Sequence, residues 1–291
     1  MSNLKEIRTR ISSVKSTRQV TAAMKMVSAA RLKKAQDAIL RIRPYTGKIE
    51  EILSLVSASL ETPDESPYTR QREPGKVLVV LISSNRGLCG AFNSSISKMA
   101  LETVFSLYGR QLEAGNADFF VIGRQGERFL RSRGMKIAGQ ANDLFDSLSF
   151  DNVAPLAEQL MADFTTHRYD RILLVYNQFK NAAVQVMATE QFLPVKMAAG
   201  GQKKVRTDYI FEPSKKEIVT ELIPRSLKIQ FYKALLDSNA AEHGARMTAM
   251  HQATDNATEL IRELTITFNK ARQAAITNEI LEVTNGAEAL R

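Results

Sequence analysis

Apolar positions at Leu4, Ile7, Ile11 and Val14 recur in steps of three and four, which puts them on one stripe of a helix. The stripe then thins into Ala22, Ala23, Met24, Met26, Val27, Ala29 and Ala30, small or flexible side chains that let a partner helix approach closely. No Gly or Pro interrupts Leu4 to Arg43, so about 40 residues are expected to run as one helix of roughly 60 Å. Pro44 is expected to kink that helix, because it removes a backbone bond and crowds the carbonyl of Leu40. Helical spacing resumes at Ile49, Ile52, Leu53 and Val56 and stops at the loop signal Thr62-Pro63-Asp64-Glu65-Ser66-Pro67.

The other end of the chain is more regular. Met247, Met250, Thr254, Ala257, Ile261, Leu264, Phe268, Ala271 and Ala275 alternate in steps of three and four, a heptad seam sustained over more than four repeats. Pro224 suits the first turn of this helix and Gly286 lies near its end, giving a span on the order of 100 Å. So long a helix must rest on something, and the first segment is the only comparable partner. Two such helices leaving one globular piece must run antiparallel.

Between them the pattern changes. Lys76 to Ser83 is a short continuous apolar run, as a buried parallel strand requires. Phe119 to Ile122, Ile172 to Tyr176 and Val184 to Ala188 resemble it, and a turn at Gly200 to Lys204 precedes a last strand at Tyr209 to Phe211. Helical stretches fall near Ser94 to Leu112, Gln125 to Ser132 and Val153 to Thr166. The expected fold class is therefore α/β: a long antiparallel coiled coil of the N- and C-terminal helices plus a central Rossmann-like domain with a mostly parallel sheet. The expected boundaries are 1–62 and 213–291 for the helices and 75–212 for the α/β domain.

Charge sharpens this picture. The net charge is +9, and residues 1–50 alone carry twelve Lys or Arg against Glu6, Asp37 and Glu50. The rest of the chain is close to neutral, so the basic character belongs to one helix. Arg8, Arg10, Lys15, Arg18, Lys25, Arg31, Lys33 and Lys34 point to several sides of it with few acids for pairing, which suggests an acidic partner around the helix. The single cysteine, Cys89, fits a reducing compartment. The opening Met1 to Glu6 lacks the apolar core of a secretory signal, and no stretch approaches the roughly 20 apolar residues of a membrane span. The expectation is a cytoplasmic chain able to dock onto a membrane complex.

Candidate chemistry is sparse. Ser83 to Ala91 follows the first strand where a phosphate loop would sit, yet it matches neither common phosphate-loop pattern, and a tight strand-to-helix turn whose glycines relieve backbone strain is the favoured reading. Cys89 has no histidine near it in sequence. His167, His243 and His251 show no metal-ligand spacing, and His243 falls on the seam as a packed side chain. Met24 and Met26 are either core or an adaptable contact patch. No catalytic constellation stands out, and no cofactor or metal is implied.

Three stretches carry a family resemblance. The first is Lys5-Glu6-Ile7-Arg8-Thr9-Arg10-Ile11 followed by Ala23-Met24-Lys25-Met26-Val27-Ser28-Ala29. The second is Asn85-Arg86-Gly87-Leu88-Cys89-Gly90-Ala91-Phe92-Asn93. The third runs from Asn269-Lys270-Ala271-Arg272-Gln273-Ala274-Ala275-Ile276-Thr277-Asn278-Glu279 through Glu282-Val283 to Gly286-Ala287. From end to end the chain resembles the gamma subunits of bacterial F-type ATP synthases. It departs from their D-R-G-L-C-G-G loop at Asn85 and Ala91, and it lacks the cysteine-bearing insertion of chloroplast members, so thiol regulation is not implied.

The resemblance implies a non-catalytic rotor shaft inside a ring of alpha and beta subunits, with the globular domain bound to epsilon and to the c-ring, on the cytoplasmic face of the bacterial plasma membrane. By position, Met24 and Lys25 would face the acidic lever of beta, and Arg272 and Gln273 its catch loop. Tyr209 and Glu212 would lie near the c-ring and epsilon. Two other readings compete. A nucleotide-dependent α/β enzyme needs a phosphate loop that Ser83 to Gly90 does not supply. A basic coiled-coil nucleic-acid binder is disfavoured by the near-neutral remainder of the chain.

Overall fold

The computed structural model describes residues 2–58, 66–195 and 215–289. The expected turn at Gly200 to Lys204, the expected strand at Tyr209 to Phe211, and Glu212 lie outside the described residues. Helix α1 covers Ser2–Ala58 and helix α5 covers Lys215–Ala289. Helix α1 continues through Pro44. The expectation for Pro224 needs correction: it sits inside α5 rather than in its first turn. Neither proline has an N–H to donate to the carbonyl four residues earlier, and the residues at those positions, Leu40 and Thr220, are exposed.

The chain divides into two compact units. The first comprises Met1–Ala29 and Arg246–Arg291, and the second Ala30–Ala245.

In the second unit the alternation of strand and helix is as the sequence predicts. Strands β1 (Val77–Ile82), β2 (Ala117–Ile122), β3 (Ile137–Gln140), β4 (Arg171–Phe179) and β5 (Gln185–Leu193) form one sheet in the order β3-β2-β1-β4-β5. Its first four strands pair in parallel, whereas β4 and β5 are antiparallel. The Val184 to Ala188 run therefore belongs to an antiparallel edge strand, with Val186 and Met187 exposed, not to a buried parallel one.

Strand β1 is buried at every position because it is covered on both faces. Leu78, Val80 and Ile82 point into a core shared with α4 (Phe150–Thr165) and with Ile223, Leu227, Phe231 and Leu235 of α5. Val77, Val79 and Leu81 point the other way, into a core with α2 (Phe92–Glu113) and Leu130 of α3 (Arg124–Ser132). That period of two, apolar on both faces, is what a central parallel strand produces. Strand β3 has no such signature. Its four residues Ile-Ala-Gly-Gln are partly exposed, and Gly139 is needed because a Cβ there would come within 2.7 Å of the Phe120 ring.

Candidate functional site

Two surfaces hold what the sequence singled out: the helix pair of the first unit and the carboxyl edge of the sheet in the second.

The helix pair has one register. Thr254 Oγ1 donates to Thr21 Oγ1 at 2.9 Å, and the Arg8 guanidinium lies 5.6 Å from the centre of the Phe268 ring. Antiparallel pairing from Thr21–Thr254 then brings Leu4 opposite Ala271, Ile7 opposite Phe268, Ile11 opposite Leu264 and Val14 opposite Ile261. It continues with Arg18 opposite Ala257, Lys25 opposite Met250 and Ser28 opposite Met247. Every one of these positions is buried or half-buried. The seam on α1 thus does not thin out after Val14. It keeps its heptad spacing with polar and small residues, Arg18, Thr21, Lys25 and Ser28, where the sequence pattern reads only alanines and methionines.

The outward faces differ by level. Near the middle of the pair Val20, Ala23, Met26 and Val27 are exposed, Met26 at 68%. Lys25 is half-buried on the seam, and Met24 is half-buried next to it. Arg272 and Gln273 are fully on the outside of α5. The register sets Lys25 at the level of Met250 and Arg272 near Leu4, so these two pairs are separated by roughly 30 Å along the axis. They stand at two levels and do not form one site. Beyond Ala275 the α1 partner has run out, and residues 276–288 are exposed all round, with Ile276, Ile280 and Val283 on one apolar stripe.

In the second unit the turn after β1 occupies the switch point of the sheet, where the strand order reverses between β1 and β4. Open α/β sheets usually bind ligands outside the strand ends at that point. Here the chain fills it. Asn93 Oδ1 accepts from the Ser84 amide at 2.9 Å, and Asn93 Nδ2 donates to Cys89 Sγ at 3.2 Å, which folds the turn onto itself. Leu88 and Gly90 take positive φ of 62° and 61° to close it. Above it, Cys89 and Phe92 pack against Ala241 of α5, with Phe179 and Ala245 at the rim. Cys89 is only 2% exposed, so its thiol is a packing group. The small residues Ala240, Ala241, Gly244 and Ala245 are the signal in the sequence that α5 must come this close. His243 is buried on the same stretch, as expected for a packed side chain, whereas His251 is exposed with its Nδ1 3.3 Å from Asp255.

One carboxyl on α5 itself, that of Asp237, is strained electrostatically. Burial pushes Asp237 up to about 6 from an ordinary 3.8, with Lys233 and Arg43 pulling it down and Glu190 adding to the rise. Glu190 itself accepts from the Tyr176 hydroxyl at 2.6 Å, and burial with that bond holds the phenol far above its usual range. Because the folded state holds the Asp237 proton more tightly, stability falls as pH rises from about 4 to 6 and the penalty is constant above. Asp237→Asn is expected to stabilise the chain by on the order of 2 kcal/mol at pH 8, and to do nothing near pH 3.5. Urea unfolding at the two pH values checks this; an equal effect at both would contradict it.

Comparison with known proteins adds the family. The family model described as ATP synthase matches residues 3–290. The ATP synthase gamma chain of Flavobacterium johnsoniae is 57% identical over 290 residues, covering 100% of this chain and 99% of that one. The gamma chain of Cytophaga hutchinsonii is 50% identical, with 100% and 99% covered. Among solved structures, the central stalk and c-ring of the Tetrahymena thermophila mitochondrial ATP synthase aligns with a TM-score of 0.59 at 25% identity, covering 80% of this chain and 99% of that one. The OSCP, F1 and c-ring assembly of the Euglena gracilis enzyme contains a chain of the same fold, with a TM-score of 0.68 at 20% identity and coverage of 99% and 95%. The chain belongs to the ATP synthase gamma chain family.

Proposed function

We propose that this chain is the central rotor shaft of an F-type ATP synthase, coupling ion-driven rotation of the c-ring to ATP synthesis or hydrolysis on the alpha and beta subunits. The observation that carries the reading is the helix pair: a single antiparallel register, an apolar outer stripe at mid-height, and an unpartnered apolar end past Ala275. Exposed Ile276, Ile280 and Val283 need cover, and a ring of subunits around the shaft would supply it. In this reading the chain performs no chemistry itself, and nucleotide is turned over by the subunits around it.

Residues 1–62 and 213–291 form the shaft in this reading, and residues 75–212 the domain that meets epsilon and the c-ring. Met24 and Lys25 meet the acidic lever of beta at one level, with Val20, Met26 and Val27 adding apolar contact. Arg272 and Gln273 meet the catch loop at the other. Tyr209 and Glu212 contact epsilon and the c-ring. The charge excess of residues 1–50 then complements carboxylates on the surrounding levers. The complex places the chain at the cytoplasmic face of the bacterial inner membrane. No helix among the described residues is long and apolar enough to cross a membrane.

Arg272 is exposed and its removal leaves the seam intact, so Arg272→Ala separates function from folding. The variant is expected to keep the wild-type melting temperature and to lower ATP synthesis in membrane vesicles by roughly 3- to 10-fold, the effect of one charged contact. Wild-type synthesis by the variant would remove Arg272 from the contact.

A further inference from the structure

The turn joining β4 to β5 touches α5 backbone to backbone. A Cβ on Gly244 would stand 3.1 Å from the carbonyl oxygen of Ala182 and 3.4 Å from its Cα. The turn is internally braced. Asn181 Oδ1 accepts from the amides of Ala183 at 3.0 Å and Val184 at 2.7 Å, and the Asn181 amide donates to the Val184 carbonyl at 3.1 Å. Gln185 Nε2 donates to the Ala182 carbonyl at 3.2 Å, fixing the very oxygen that faces Gly244. On the flank, Phe179, Cys89 and Phe92 enclose Ala241 and Ala245.

Resting on the shaft reading above, we propose that this turn is a clamp on α5, with Ala182 and Gly244 as the positioning pair that stops the helix slipping on the sheet when torque passes from the α/β domain into the shaft. The physical reason lies in what each contact can yield. Packed side chains give way by changing rotamer, each atom pair contributing only about 0.1–0.2 kcal/mol. A braced carbonyl against a helix backbone has no such freedom, because moving either means breaking hydrogen bonds. The clamp sits at the tip of the β4–β5 hairpin, beyond the last pairing of β1 with β4 at Val175, so the load enters the sheet through β4, which pairs with the central strand β1. It also explains a glycine in the interior of a long helix, where Gly costs about 1 kcal/mol relative to Ala.

Two variants of the complete ATP synthase in inverted membrane vesicles test this. The first is the double variant Ala182→Cys, Gly244→Cys, whose positions lie close enough for the roughly 4.4–6.8 Å that a disulfide spans between α-carbons. If the contact is fixed throughout turnover, oxidation leaves ATP-driven proton pumping within about twofold of the reduced enzyme. Loss of pumping by about tenfold on oxidation, restored by dithiothreitol, would show that the helix must move there and overturns the clamp. The second is Gly244→Leu, which wedges the turn away. It is expected to lower protons pumped per ATP hydrolysed by about threefold or more at equal amounts of chain in the complex, a ratio that mere loss of stability does not change. An unchanged ratio overturns the clamp while wild-type pumping keeps the shaft reading intact. A wild-type chain that never joins the complex overturns both.

Discussion

Leu264→Asp is expected to abolish most coupled ATP synthesis, by about tenfold or more, while leaving the sheet unit folded. Leu264 is half-buried on the α5 seam, and the register sets it against Ile11, an apolar neighbour with nothing to offer a carboxylate. Taking a carboxylate partly out of water in an apolar seam costs on the order of a few kcal/mol even with Arg8 and Lys15 one turn either side of Ile11, so the two helices would separate locally rather than hold it. The pair would then bend where it must stay stiff. Leu264→Met, which conserves volume, is the control and should remain within about twofold of wild type. The measurement is ATP synthesis by respiring inverted vesicles carrying equal amounts of each variant. Wild-type synthesis by the aspartate variant would show that the seam does not carry load.

The second large effect concerns stability. Gly123→Ala is expected to cost at least about 3 kcal/mol, because two independent penalties meet at one residue. Gly123 has φ of +109°, a region closed to ordinary L side chains, and a Cβ there would stand 2.3 Å from the carbonyl oxygen of Ser83. Neither neighbour can retreat. Ser83 Oγ donates to the Gly123 carbonyl at 3.0 Å and accepts from the Gly126 amide at 2.9 Å, and the Gly123 amide donates to Asn142 Oδ1 at 3.0 Å. These bonds tie the ends of β1 and β2 to the start of α3. Calorimetry should show a fall in melting temperature on the order of 10 °C. A shift of less than about 2 °C would mean that the strand ends relax more easily than their hydrogen bonding implies.

The sequence made some of this legible and hid the rest for physical reasons. All nine seam positions from Met247 to Ala275 are buried or half-buried, because a helix that meets only one partner must repeat its apolar residues every three and four steps. The matching seam on α1 stays in step but switches to Arg18, Thr21, Lys25 and Ser28, and hydrophobic periodicity cannot register a stripe made of polar residues. Strand β1 was legible because both of its faces are covered. Strand β3 was not, being four partly exposed residues with a glycine, and β5 ran opposite to expectation because a tight turn after Phe179 folds it back as a hairpin.

Pro224 misled because nothing in the motif around it shows that the helix already runs from Lys215. The sheet's switch point was visible as a phosphate-loop position without a phosphate-loop sequence. What fills it, Ala241 and Gly244 from a helix some 150 residues further on, could not be read from Ser83 to Ala91 alone. Of the proposed contact residues, the two levels on the helix pair follow from the register, whereas spacing alone could not say that Lys25 lies on the seam and Arg272 faces outward.

The central claim is that this chain turns. The most direct measurement attaches a probe to the α/β domain of the chain within immobilised alpha–beta complexes and records its orientation while ATP is hydrolysed. The account predicts unidirectional stepping in the wild-type chain, and irregular or absent stepping with Leu264→Asp. Hydrolysis proceeding at full rate with the wild-type chain held at a fixed orientation would contradict it.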